Sequence, residues 1–329
     1  MKARYLITGG AGYVGSHLVA EMLNREADCV VLDNLSTGHA AAVLDGARLI
    51  VGDLADSELL NRVLADGPWS AVFHFASLSL VGESMADPLR YLRENIGTGL
   101  RLIEACVSHG VQRFVLSSTA ALFNDSARSP ITEDSAIDPG SPYGESKWAL
   151  ERALAWAGRV HGLRSACLRY FNAAGCDPAG RLGEDHDPET HLIPLAIDAA
   201  LGRRAEIAVY GGDYPTPDGS CVRDFVHVSD LADAHLRALG RLERGSVHYN
   251  LGAGAGHSVL EVIAALERIS GRKVAARMAA RRPGDPAVLI ASSARIAGET
   301  GWVPQLSTLD RIIETALAWR ESHPRGYGD

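Results

Sequence analysis

A short apolar run, Tyr5–Thr8, leads directly into Thr8-Gly9-Gly10-Ala11-Gly12-Tyr13-Val14-Gly15, and a helical pattern, Ser16–Asn24, follows at once. This glycine spacing between a strand and a helix restricts the fold more than any other feature of the chain. Gly9 permits a tight turn, Gly12 lets a pyrophosphate approach the backbone, and Gly15 allows close helix–sheet packing. The helix N-terminus then offers free amide donors and a partial positive charge to phosphates. Glycine turns also arise for purely structural reasons, so the context decides. Here the second apolar run ends on Asp33, 18 residues beyond Gly15. A carboxylate at that place accepts hydrogen bonds from ribose hydroxyls and repels a 2′-phosphate. The following residues, Asn34-Leu35-Ser36-Thr37-Gly38, contain no arginine. The expected cofactor is NAD rather than NADP.

The same alternation continues through the first half. Val30–Asp33, Arg48–Val51, Ala71–Phe75, Phe114–Ser117 and Ser165–Arg169 read as buried strands. Ser57–Ala65, Leu89–His109 and Pro142–His161 read as helices between them. Such a rhythm predicts an α/β fold, a Rossmann-like doubly wound parallel sheet covered on both faces, with ligands beyond the carboxyl ends of the strands. From about Cys176 the rhythm gives way to turn-rich stretches such as Asp213–Gly219. Phe225–Val228 reads as a late return to the main sheet. The expected division is an NAD-binding unit over residues 1–175, with a returning segment of about 224–255. The remainder of 176–329 is expected to form a smaller α/β unit that holds the substrate. Asp53, in Gly52-Asp53-Leu54 after the third strand, can reach an adenine; the alternative is a helix N-cap.

The 329 residues suffice for a large core, and 47% hydrophobic with 22% charged residues is ordinary for a globular chain. A net charge of −8 argues against nucleic-acid or anionic-membrane surfaces, so an anionic ligand requires arginines gathered in one place. Cys29, Cys106, Cys167, Cys176 and Cys221 form no Cys-x-x-Cys pair, and their odd number fits reduced thiols in the cytoplasm. There is no signal-peptide core, and no uncharged apolar stretch is long enough to span a membrane.

Ser141-Pro142-Tyr143-Gly144-Glu145-Ser146-Lys147 opens a helical pattern, with Ser141 as cap and Pro142 in the first turn. Tyr143 and Lys147 share a helix face one turn apart. A phenol titrates near pH 10, and a neighbouring ammonium or a positive nicotinamide lowers that value. By itself this spacing describes any exposed Tyr and Lys. Ser117-Ser118-Thr119 at the end of the fifth strand supplies the hydroxyl that makes the pair chemically meaningful.

These pieces resemble the extended short-chain dehydrogenase/reductase superfamily, and further segments narrow the resemblance to UDP-galactose (UDP-glucose) 4-epimerases. They include His74-Phe75-Ala76, Val81-Gly82-Glu83-Ser84, the run Leu168–Gly175, the run Asp218–Val228, Asn250-Leu251-Gly252 and Arg281-Arg282-Pro283-Gly284-Asp285. The resemblance spans essentially the whole chain; the set is specific where any one segment is not. It implies that Tyr143 takes the proton of the sugar 4-hydroxyl, that Lys147 holds the nicotinamide ribose and tunes the tyrosine, and that Thr119 bonds the reacting oxygen. Hydride leaves carbon 4, the 4-keto sugar turns over, and hydride returns to the other face. NAD contacts are implied for Gly9, Gly12, Tyr13, Val14, Gly15, Asp33, Asn34, Leu35, Ser36, Thr37, Gly38, Asp53, Leu54, Phe75, Ala76, Ser79, Asn95, Thr119, Tyr143, Lys147 and Phe171.

The UDP-sugar is implied to touch Thr119, Tyr143, Asn172, His191, Leu192, Ala208, Val209, Tyr210, Arg223, Arg282, Asp285 and Leu289. Arg223 and Arg282 suit the diphosphate, Asp285 the uridine ribose, and Tyr210 the uracil ring. Surface arginines in solvated loops are the bland alternative. No metal is expected, because the histidines lack ligand spacing. The resemblance also implies a homodimer through the Leu89–His109 and Pro142–His161 helices. Three positions depart from the family pattern. Phe123-Asn124 stands where Tyr-Gly is usual, and Ser79 replaces a lysine that reaches the NAD phosphates, which implies looser NAD. Leu289 stands where a tyrosine or a smaller residue faces the sugar 2-substituent, and it points to UDP-galactose/UDP-glucose as the main pair. A 4,6-dehydratase would carry Asp-Glu directly after the hydroxyl residue, whereas Thr119 precedes Ala120-Ala121. A catalytically dead NAD sensor would lose Tyr143 or Lys147, and both are present.

Overall fold

The computed structural model describes residues 2–123, 129–282 and 285–328. Its first half runs β1 (Arg4–Thr8), α1 (Tyr13–Asn24), β2 (Asp28–Asp33), β3 (Ala47–Val51), α2 (Ser57–Ala65), β4 (Ala71–His74), α3 (Val81–Ala86), α4 (Pro88–Tyr91), α5 (Gly97–Ser108), β5 (Arg113–Thr119), α6 (Pro142–His161) and β6 (Arg164–Tyr170). Then follow β7 (Asn172–Ala174), α7 (Leu192–Ala200), β8 (Ile207–Tyr210), β9 (Val222–His227), α8 (Val228–Arg241) and β10 (Val247–Leu251). The chain ends with β11 (Gly256–Ser258), α9 (Val259–Ser270), β12 (Ala276–Ala279), β13 (Val288–Leu289), α10 (Ala294–Thr300) and α11 (Leu309–Ser322).

Among the described residues seven strands form one parallel sheet in the order β10-β6-β5-β4-β1-β2-β3. Side chains alternate across it, as the pleat requires. Ile7, Val31, Phe73 and Val115 face one core with Leu18 and Met22 of α1 and Leu231 and Ala238 of α8. Leu6, Val30, Val72 and Phe114 face the other, with Leu60 of α2, Leu102 of α5 and Leu150 of α6. Both faces are apolar, so the strands read as unbroken hydrophobic runs. Beyond Cys176, α7, α9 and α11 close over β8 and β9 around a third core that includes Ile197, Leu266, Ile313 and Trp319.

Two expectations are corrected. Phe225 and Val226 lie on β9, which pairs with β7, β11 and β13 in a small separate sheet. The strand that rejoins the main sheet is β10, reached through α8. Local sequence signals that a strand is buried, not which sheet it joins. The expected continuous helix Leu89–His109 is instead α4, a widened π turn over Leu92–Ile96, and α5. That turn aims Asn95 inward: its amide donates to the Leu78 carbonyl and the Ser146 hydroxyl and accepts from the Leu78 N–H. By contrast α6 begins and ends where expected. Ser141 accepts from the Gly144 N–H at 3.2 Å, and Gly162 stops the helix at φ 74°.

Candidate active site

The glycine loop lies at the carboxyl end of β1. Gly9 has φ 75°, and a Cβ there would collide with the Ala76 backbone nitrogen. Gly15 is needed for a different contact from the one expected: its Cβ would strike the Gly9 carbonyl, so the first turn of α1 packs on the loop itself. At Gly12, the N-cap of α1, a Cβ would meet only the Gly9 oxygen, at 3.4 Å. Open space over a helix N-terminus with amides aimed into it suits a pyrophosphate. Asp33 is buried, and its carboxylate accepts from the Ala11 N–H at 3.0 Å and the Leu35 N–H at 2.9 Å. It therefore ties the loop to the turn after β2, where Leu35 adopts φ 57°. Asn34 donates to Asp53 at 2.7 Å, and Ser36 N–H bonds back to Asn34. Asp53 is not the cap of α2, because Asp56 holds that role by accepting from Glu58 and Leu59. Asp53 instead accepts from the Ala55 N–H at 2.8 Å and so fixes the turn that enters α2. Thr37 and Gly38 complete the turn, and Gly38 packs so closely on Ala11 that a side chain would not fit.

Thr119 closes β5, and Tyr143 stands in the first turn of α6. Burial raises the Tyr143 pKa, and a hydrogen bond with the Thr119 hydroxyl pulls it back. The phenol thus meets the hydroxyl that the sequence places with it. Lys147 is 1% exposed, and burial lowers its pKa to about 7. Its ammonium donates to Ser77 Oγ at 2.9 Å and lies 5.9 Å from the Tyr143 ring centroid. Both groups are desolvated, which raises the tyrosine value and lowers that of the lysine. Several supporting residues escaped the sequence reading. Ser77 follows the singled-out His74-Phe75-Ala76, and a hydroxyl just past a strand end is the signal that could have found it. Ser118, next to Thr119, donates to Glu151 at 2.6 Å, and Arg169 clamps both oxygens of that buried carboxylate at 3.0 and 2.6 Å. Ser117 bonds the Tyr170 hydroxyl. These contacts lock β5, β6 and α6 beneath the reacting groups.

Phe171 and Phe123 are buried in a small apolar cluster with Ala120, and Leu289 packs against it. Leu289 also sits beside Arg223 in the register of β13 and β9, so it links the Thr119 end to the arginine end. Asn124, Pro283 and Gly284 lie outside the described residues. Arg223 donates to the carbonyls of Val222 and Pro286 at 2.8 Å and pairs with Asp285. Arg282 stacks over Tyr210 with its guanidinium carbon 4.0 Å from the ring centroid. Tyr210 ends β8 after Ala208 and Val209. Asn172 donates to the Asp224 carbonyl at 3.0 Å, and buried Asp224 accepts from the backbones of Ala253, Gly254 and Ala291. Ser79 is exposed, while Phe75 and Ala76 border the glycine loop and Leu54 is buried. Tyr13 donates to the Gly175 carbonyl at 2.5 Å, and Val14 packs on the first core. His191 precedes Leu192 at the start of α7, and its Nδ1 faces Glu184 and Glu189.

A dinucleotide loop on a parallel sheet, with a Tyr–Lys helix turn facing a strand-end hydroxyl, defines a class of nucleotide-dependent oxidoreductase-like enzymes. The sequence model described as "NAD dependent epimerase/dehydratase family" matches residues 5–252. The chain belongs to that family. It is 46% identical over 325 residues to the UDP-glucose 4-epimerase of Lacticaseibacillus casei, covering 98% of each chain. The crystal structure of UDP-glucose 4-epimerase from Brucella ovis in complex with NAD superposes with a TM-score of 0.93 at 44% identity, covering 96% of this chain and 98% of that one. UDP-glucose 4-epimerase from Bifidobacterium longum, in complex with NAD+ and UDP, gives a TM-score of 0.93 at 35% identity, covering 98% and 100%.

Proposed function

We propose that the chain interconverts UDP-glucose and UDP-galactose by inverting carbon 4, as a cytoplasmic homodimer using NAD. The observation that carries this reading is the Tyr143–Thr119 hydrogen bond, with Lys147 one turn further along α6 and held by Ser77. NAD, held by the loop and Asp33, supplies a reversible hydride acceptor, so that no net redox occurs. Tyr143 takes the 4-hydroxyl proton and later returns it, and Thr119 keeps a hydrogen bond on the same oxygen as a ketone forms there. Lys147, anchored by Ser77, orients the cofactor ribose and favours phenolate once a positive ring adjoins it. Arg223, Arg282, Asp285 and Tyr210 hold the UDP, aided by Asn172, His191 and Leu192, while the sugar stays free to turn over. The apolar surround of Leu289, Phe123 and Phe171 offers the sugar little polar grip, which suits that rotation.

Residues 1–175 with about 224–255 serve as the NAD unit, and the remainder of 176–329 as the UDP-sugar unit. This division is supported by the sheet, whose strands come from Arg4–Tyr170 and Val247–Leu251. The cytoplasmic assignment is supported by five cysteines that are all buried and free. Among the described residues no helix is long and apolar enough to cross a membrane. The dimer is supported by apolar side chains left exposed on neighbouring helices: Met85, Leu89 and Leu100, with Trp156 and Val160 of α6. Isolated exposed apolar groups need no explanation, but a cluster marks an interface. Trp156→Glu should shift the sedimenting species to a monomer. The deciding experiment incubates the protein with UDP-galactose and a trace of NAD. Formation of UDP-glucose without net NADH supports the reading, whereas accumulation of NADH or a stable keto sugar overturns it.

A further inference from the structure

Glu184, His186, Glu189 and His191 come from a single loop between β7 and α7, and their candidate ligand atoms all lie within 4.8 Å of one another. His191 Nδ1 is 3.0 Å from Glu184 and 2.9 Å from Glu189, and His186 Nδ1 is 3.5 and 3.4 Å from the same two carboxylates. A tetrahedral ion with bonds of about 2.0 Å sets its ligand atoms about 3.3 Å apart. The four measured edges straddle that value. Glu184 is 4% exposed, and its Oε1 has no well-directed hydrogen bond although both imidazoles approach it. A buried carboxylate oxygen aimed at two imidazole nitrogens without a bond is unusual, because such groups are normally satisfied.

We propose that this loop is a binding site for one divalent cation of the zinc class, held by Glu184, His186, Glu189 and His191 in a tetrahedral N2O2 shell. Two imidazole nitrogens and two carboxylate oxygens suit zinc better than a hard, oxygen-seeking ion. A dication matches two carboxylates charge for charge, with both imidazoles neutral. The spacing of the four residues is not that of one helix face, which is why histidine spacing carried no metal signal.

The site would be structural and would brace the cofactor loop. The His186 ring packs edge-on to Tyr13 of α1 at 6.0 Å, and Asp185 of the same loop lies 3.4 Å from His39 and bonds the Tyr327 N–H. The test titrates EDTA-treated protein with Zn2+ and, separately, with Co2+, whose visible spectrum reports tetrahedral geometry. One equivalent should bind per chain, raise the melting temperature and give a tetrahedral cobalt band. His186→Ala and Glu189→Gln should each weaken zinc at least ~10-fold and abolish the thermal shift. Their circular dichroism should match the parent, and retained NAD is measured alongside. Binding well below one equivalent, an octahedral cobalt spectrum, or unchanged zinc affinity in a folded His186→Ala variant would show only a histidine–carboxylate ion pair and overturn the proposal.

Discussion

The cofactor side and the nucleotide-sugar side of the site are built on different physical terms. On the first, the polar groups are buried and individually tied down. Lys147 and Asn95 are each 1% exposed and Asp33 is 8% exposed, and all three bond neighbouring loops or side chains. On the second, Tyr210 is 36% exposed, Arg282 lies across its ring, and Arg223 is paired with Asp285. The first region is preorganised, so it can hold a proton-transfer geometry without rearrangement. On the proposed function, the second trades one set of polar contacts for another when an anion arrives. An epimerase needs this contrast, because its cofactor must stay fixed while the sugar presents two faces.

The largest expected effect strikes the preorganised side. Tyr143→Phe should lower kcat by about 10³-fold, within the range set for a positioned acid–base. UDP affinity, measured by calorimetry, should change less than ~2-fold, because removing one hydroxyl leaves the arginine end intact. Wild-type turnover in this variant would refute the assignment of the base. A parallel loss of UDP affinity would show that the two regions are not separable.

Lys147 offers a test of how much burial costs on that side. Its pKa is lowered to about 7 in the folded chain, against about 10.4 when unfolded. Between those values the unfolded chain holds a proton that the folded chain lacks, so stability rises with pH over that window. The penalty is complete below about pH 7 and relieved above about 10.4. Urea unfolding of the parent and of Lys147→Met should show the variant gaining on the order of a few kcal/mol relative to the parent near pH 7. That advantage should shrink toward pH 10. A constant difference across the range would mean that Lys147 keeps its proton through its bond to Ser77.

On the exchangeable side the effect should be smaller and confined to binding. Arg282→Ala removes a cation–ring contact and the proposed charge-assisted partner for the diphosphate, so the Kd for UDP should rise about 10- to 100-fold. Turnover at saturating UDP-sugar should stay within ~3-fold, because the interaction is equally present in ground and transition states. A large fall in kcat would place Arg282 in the chemistry.

The two regions also differ in how far they could be read from the chain. The cofactor side follows from local rules: a positive-φ glycine where Gly9 meets Ala76, an acid at a strand end, and Ser141-Pro142 starting a helix. Each leaves a mark within a few residues. The arginine side was legible only through resemblance, because Arg223, Arg282 and Tyr210 come from β9, the segment after β12, and β8, and nothing local announces their convergence. Asn95 acts through a π turn that ordinary helical periodicity hides. The assignment of β9 to the main sheet failed because buried Phe225 and Val226 satisfy any apolar face. His191 was picked as a ligand contact, yet its strongest neighbours, Glu184 and Glu189, lie in a loop without helical or strand period.

Ser79 gives the finest probe, since it sits on the cofactor side but is exposed there. Its neighbours Ser77 and Leu78 are fixed by Lys147 and Asn95, so the backbone at this position is held even though the side chain reaches solvent. If Ser79 borders the NAD phosphates as proposed, a lysine introduced here should meet them without disturbing the loop. A solvated ion pair contributes only about 0.2–1 kcal/mol, so Ser79→Lys should slow NAD loss during dialysis by no more than ~5-fold. The parent should lose part of its NAD under the same conditions, and the gain should fade at high salt. Stoichiometric retention by the parent through extensive dialysis would mean that the buried contacts alone hold the cofactor. The contrast between the two regions would then be sharper than Ser79 implies.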